Sequence, residues 1–161
     1  MYVYIGKITN THGLKGELKL KSDFIYLDKV LKDGFNFYIE KKDKVVLNSF
    51  RYHNDVILIA FNDLLDINLV ETLKNKNLYV LKEDLNLKEN QFVFEDYIGL
   101  NAIYKEKELG KVTDIIDCGL NNYVFEIDKK ILIPINDNFI DKVILNDKII
   151  FKDVEGLIDA N

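Results

Sequence analysis

Two small β-barrels in an all-β chain is the fold class this sequence predicts, and three observations predict it. The first is a hairpin: Tyr4 to Leu20 reads as a strand, a glycine-punctuated turn and a second strand, with Gly13 and Gly16 bracketing Leu14 and Lys15. The second is composition: the 19 Tyr and Phe residues and the many Ile and Val favour strands. Their short apolar runs recur at about ten-residue spacing, as in small barrels. The third is a restart: a polar, aperiodic stretch from Glu83 to Gln91 interrupts the strand pattern, which then begins again.

In the first half, Leu18 and Leu20 point one way and Glu17, Lys19 and Lys21 the other, the period of a half-buried strand. A short helical stretch is expected over Ile25 to Leu31, with Asp23 as its cap and Gly34 past its end. Phe35, Phe37 and Ile39 alternate with polar neighbours as the third strand. Lys41-Lys42-Asp43 turns into a fourth strand over Val45 to Tyr52, and Asn54-Asp55 turns into an apolar fifth, Val56 to Phe61. Asp66 is placed to cap a helix with Leu69 and Leu73 on one face, closed by Asn77, and Leu78 to Lys82 returns as the sixth strand.

The division is expected as a domain over 1–84, a linker over 85–95 and a second domain over 96–161. In the second half, Leu100 to Lys105 and Leu109 to Ile116 flank a turn at Glu106-Lys107-Glu108. Cys118 to Asn122 is a loop, Tyr123, Phe125 and Ile127 alternate, and Asp128-Lys129-Lys130 turns into Ile131 to Ile135. Pro134 there marks an edge or a bulge. A hairpin, Val143 to Leu145 and Ile149 to Phe151, and a closing turn near Gly156 complete the chain.

Charge is unevenly divided. Residues 1–95 hold 14 Lys/Arg and 14 Asp/Glu, whereas residues 96–161 hold 8 and 13, so the whole net charge of −5 lies in the last third. A chain that gripped phosphates with all of its surface would be basic. An acidic segment suits a basic protein partner, or simply solubility. The single cysteine, Cys118, excludes a disulfide framework. The N-terminus shows no basic segment followed by an apolar core and cleavage site, and the apolar runs are of strand length. A soluble, cytoplasmic protein without membrane association is expected.

No catalytic constellation is legible. Neither Ser22 nor Ser49 sits in a nucleophile elbow, and His12 and His53 lie far apart with no partner at metal-ligand spacing, so no catalytic residue, metal or cofactor is expected. The glycine spacing is not that of a P-loop. Candidate contact residues are His12, Gly13, Lys15, Gly16, Lys19 and Lys21 in the hairpin, and Phe92 and Phe94 at the junction. Paired glycines and edge lysines also have a purely structural reading, and Phe92, Phe94 and Tyr97 also read as a wedge between the two halves.

These segments together resemble the RimM family of ribosome maturation factors. The N-terminal signature is matched by Gly6-Lys7-Ile8 and Thr11-His12-Gly13-Leu14-Lys15-Gly16-Glu17. The interdomain signature is matched by Phe92 to Gly99, ending Asp96-Tyr97-Ile98-Gly99, and a C-terminal PRC barrel by Leu109-Gly110-Lys111-Val112, Leu132-Ile133-Pro134 and Glu155-Gly156-Leu157. Val93 stands where the family usually has the second residue of an aromatic pair, a tyrosine. Leu81-Lys82 stands where it often has an arginine, and Tyr97 replaces its usual leucine. The resemblance implies a six-stranded N-terminal barrel followed by a PRC barrel, with Gly6, Asp96, Gly99, Gly110 and Pro134 as structural motif residues. It also implies a non-enzymatic, monomeric assembly factor that binds ribosomal protein S-nineteen and the immature small subunit with its rRNA. Such a factor would help assemble the subunit head and support rRNA processing. The residue-level rivals are a general RNA-binding barrel and a small-ligand enzyme on a β-barrel.

Overall fold

A computed structural model of the chain describes residues 1–159. The chain forms two compact units, Met1–Asn90 and Gln91–Asn161. The first is a closed barrel in the order β1-β2-β5-β4-β3-β6. Its strands are β1 (Tyr2–His12), β2 (Glu17–Lys21), β3 (Asn36–Ile39), β4 (Asp43–His53), β5 (Val56–Phe61) and β6 (Asn77–Leu81). All neighbours pair antiparallel, and β6 closes on β1.

Alternation in the sequence becomes inside and outside in the barrel. Leu18 lies opposite Ile59, and Leu20 opposite Ile57, so these four share the inner face with Ile5, Ile8, Phe37, Phe61 and Val80, all buried. Each such side chain contributes roughly 1.5–3 kcal/mol of burial. Two bulges, at Ile8/Asn10 and Tyr4/Gly6, bend the 11-residue β1 enough to serve two neighbours. Gly6 has no room for a side chain, since a Cβ there would lie 2.3 Å from the Lys21 carbonyl oxygen. On the outside of β1, β6 and β3, the rings of Tyr2, Tyr4, Tyr38 and Tyr79 meet edge to face at 5.5–6.3 Å, and Lys41 lies over Tyr79. Burial first, then the neighbouring Tyr79, Asp23 and Glu40, raise the Tyr4 hydroxyl pKa.

The helices are shorter than the sequence suggests. The first, α1, spans only Leu27–Val30, and its cap position is Tyr26, which offers no side-chain acceptor bond. Asp23 lies too far upstream to cap it. Ser22 organises the entry instead, donating to the Ile5 carbonyl and accepting from the Phe24 N–H. The second, α2 (Ile67–Val70), is capped by Asp66 as expected, whose carboxylate accepts from the Asn68 N–H at 2.8 Å. Leu69 is exposed and Val70 buried, because the chain tightens into a 3-10 turn over Glu71–Leu73 and the Leu69/Leu73 face never forms. Asn75, with φ of 66°, ends that turn, and Asn77 already belongs to β6.

In the second unit the order is β10-β9-β8-β7-β12-β11. The strands are β7 (Asn101–Tyr104), β8 (Lys107–Asp117), β9 (Tyr123–Ile127), β10 (Ile131–Pro134), β11 (Ile140–Ile144) and β12 (Lys148–Phe151). The sheet folds around one core of Ala102, Val112, Phe125, Ile127, Ile133, Ile149 and Phe151, while β10 and β11 remain its two unpaired edges. Pro134 occupies such an edge, where its missing N–H disrupts no central ladder. The β7–β8 turn is Lys105-Glu106, one residue earlier than the sequence suggests, with φ of 50° and 65°. Two consecutive positive φ values match the twist of a two-residue hairpin. A C-terminal helix, α3 (Glu155–Asp159), is tied to that turn by the Lys105–Glu155 ion pair.

Candidate nucleic-acid interface

The glycine hairpin is held from beneath. Gly16, at φ of +81°, is packed so closely on the following loop that a Cβ would lie 2.3 Å from the Leu64 carbonyl oxygen and 2.8 Å from the Asp66 nitrogen. The Leu14 carbonyl accepts from the Ile67 N–H at 3.1 Å, so the tip is docked on the start of α2. Gly13 also has a positive φ, +68°, but open space around it. Clamping one side of the turn leaves Leu14, 77% exposed, and the exposed Lys15 as its outermost residues.

Register assigns the outward face. Lys19 and Arg51 both lie opposite Leu58, forming one row across β2, β5 and β4. On β1, His12 lies opposite Glu17, and Lys7 opposite Lys21. Arg51 donates from Nε and Nη2 to the two Glu17 carboxylate oxygens at 2.8 and 2.9 Å, a two-pronged fork. The His12 and His53 rings lie 5.4 Å apart. Their strands are separated by β2 and β5, which on a flat sheet means about 14 Å. The sheet therefore coils strongly, and Leu58, between Lys19 and Arg51 in register, is only 1% exposed.

The two histidines, far apart in the sequence, are thus brought together in the fold. Sequence distance concealed a contact made by coiling. Arg51 escaped the sequence reading, and His53 and Lys7 were noted there but not as contact residues. The available signal was that Arg51 is the only arginine among 22 basic residues. The Arg51 hydrogen bonds hold the Glu17 carboxyl below its usual range against a partial burial that pushes it up, and the charges of Arg51 and the imidazoles lower it further.

The remaining motif residues lie in the second unit. Phe92 packs against Tyr97 at 6.2 Å and Phe94 against Tyr123 at 4.7 Å, so both half-buried rings join that unit's own core, where Tyr97 meets Phe125 edge-on at 5.0 Å. Asp96, 8% exposed, accepts from the Val93 N–H at 2.9 Å and shapes the 3-10 turn Phe94–Asp96. Val93 is buried and serves as packing. Gly99 and Gly110 have φ of +88° and +137°, and the Asp128 carboxylate fills the space a Cβ at Gly110 would need, accepting from the Lys111 N–H.

Among the described residues no group of three or more His, Cys, Asp or Glu side chains is placed to hold a metal, and no helix is long and apolar enough to cross a membrane. Cys118 lies exposed in the β8–β9 loop.

The RimM N-terminal domain model matches residues 3–85 and the RimM PRC barrel domain model residues 94–157. The chain belongs to the RimM family. It is similar to the ribosome maturation factor RimM of Staphylococcus aureus strains MRSA252 and JH9, at 33% identity in both cases, over 99% of this chain and the whole of each relative. Among solved structures it is similar to a putative 16S ribosomal RNA processing protein RimM from Pseudomonas aeruginosa, at 20% identity over 94% of this chain and 97% of that one, with a TM-score of 0.48. The hairpin, the junction and the PRC segments are therefore RimM-family elements, and the sheet-rich two-part architecture is that of the family.

Proposed function

We propose that this RimM-family chain acts in the cytoplasm as a monomeric, non-catalytic assembly factor for the head of the small ribosomal subunit. Its acidic second unit binds the basic ribosomal protein S-nineteen, its glycine hairpin faces rRNA, and its presence supports rRNA processing. The observation that carries this reading is the charge split on a maturation-factor scaffold. Counted by structural unit, Met1–Asn90 hold 14 basic and 13 acidic residues, net +1, and Gln91–Asn161 hold 8 and 14, net −6. An anionic surface steers a cationic partner and shields its RNA-facing residues until the rRNA is ready to take them.

Calorimetric titration of the full chain into purified S-nineteen tests this directly. The expected result is saturable binding that weakens as salt rises. No binding even at low salt would remove S-nineteen as the partner. Reversing Lys15 and Lys19 to glutamate should weaken binding to immature small subunits with the fold intact, and unchanged affinity would take the hairpin out of the interface. A general RNA-binding barrel would instead bind any structured RNA equally well.

A further inference from the structure

The face of the first barrel that carries Lys7, Lys19, Lys21, Arg51 and the two histidines has a charge arrangement that folding alone does not favour. Lys7 and Lys21 are directly opposed across β1 and β2, and both are exposed. Like charges in that position destabilise a sheet. Glu17 lies on the same outward face but at the other end of β2, opposite His12, and is held there by Arg51. That fork uses two of the five guanidinium donors and leaves three for another acceptor. The coiling that brings His12 within 5.4 Å of His53 concentrates two further nitrogen-bearing rings at the same place.

We infer that this face binds the phosphodiester backbone of RNA, with Lys7 and Lys21 as one phosphate seat and Arg51, Lys19 and the histidine pair as a second. The inference rests on the small-subunit reading above and deepens it: the hairpin's barrel meets RNA, not the basic ribosomal protein, which this cationic face repels. Lys19 and Lys21 stand two residues apart on one strand, about 7 Å, on the scale of successive phosphates. An anion between Lys7 and Lys21 removes their repulsion, which supplies the selectivity for a negatively charged ligand. The neighbouring exposed Leu14 and Lys15 at the hairpin tip extend the same surface.

The chain contains only two histidines, so their ring signals in a proton NMR spectrum report on this face alone. The probe is a labelled RNA hairpin of about 20 nucleotides, with full-length protein and binding followed over a salt series. Expected results are a shift of both histidine ring signals on adding RNA, and a several-fold loss of affinity for Lys7→Gln/Lys21→Gln. The salt slope of that variant should become shallower by about one per phosphate contact removed. Relief of the like-charge pair means that the variant should melt no lower than the parent chain, so loss of folding cannot mimic the effect. A second variant, His12→Gln/His53→Gln, should weaken binding with the salt slope little changed.

Binding of RNA or of immature subunits that ignores both variants, with unmoved histidine signals, would overturn this face while leaving the small-subunit reading standing. A parent chain that binds neither the RNA nor immature subunits would overturn that reading itself. Displacement of the histidine signals by a polyglutamate peptide but not by RNA would assign the face to an acidic protein and refute the inference.

Discussion

Gly16→Ala isolates the feature on which the hairpin depends. Two costs apply. A non-glycine residue in the left-handed region costs about 1–2 kcal/mol, and forcing a methyl into a packed site costs about 1–3 kcal/mol. Here the methyl meets backbone, at 2.3 Å from the Leu64 oxygen and 2.8 Å from the Asp66 nitrogen, so no side chain can rotate out of its way. The expected loss is about 2–5 kcal/mol, a large share of a small domain's stability, and about 10 °C or more in melting temperature. Gly13→Ala is the internal control: its φ is similar, +68°, but its Cβ would meet nothing within 4 Å, so only the conformational cost of about 1–2 kcal/mol remains. The assay is urea unfolding with amide exchange read at β5, which reports on the first unit separately from the second. Equal destabilisation by the two substitutions would refute the claim that the hairpin is clamped on the loop before α2.

Three further outcomes are expected. Phe125→Ala removes a fully buried ring that meets Tyr97 and Phe151, and should cost about 3–5 kcal/mol in the unfolding transition of the second unit, read by exchange at β9. Phe92→Ala with Phe94→Ala should cost that same unit about 2 kcal/mol, because each ring is half-buried; a loss of binding to immature subunits with no change in melting would show the rings to be partner anchors instead. Glu17→Gln tests the fork with Arg51. Since the folded Glu17 carboxyl titrates below its usual range, its stabilisation is present above the ordinary carboxylate value and disappears as pH falls through the depressed one. Parent and variant melting temperatures should therefore differ most near neutral pH and converge in acid, and a constant gap would show that the charge pair is not the cause.

What the sequence by itself determined is what depends on neighbours along the chain. Alternation placed Leu18 and Leu20 inside and Lys19 and Lys21 outside, Asp66 announced its helix, and Pro134 marked an edge, because strand period, capping and the missing proline N–H are local properties. Local signals also misled where the chain had competing options. Asp23 is a good cap by type, but Ser22 took over the helix entry, and the Leu69/Leu73 face was lost to a 3-10 turn. Phe92 and Phe94 were legible as important but not as members of the second unit's core. Only the tertiary structure decided the composition of the candidate interface. His12 and His53, 41 residues apart, meet because the barrel's sheet coils, and Glu17 finds Arg51 for the same reason. Coiling is the sum of small twists over four strands, and no single stretch of sequence displays it.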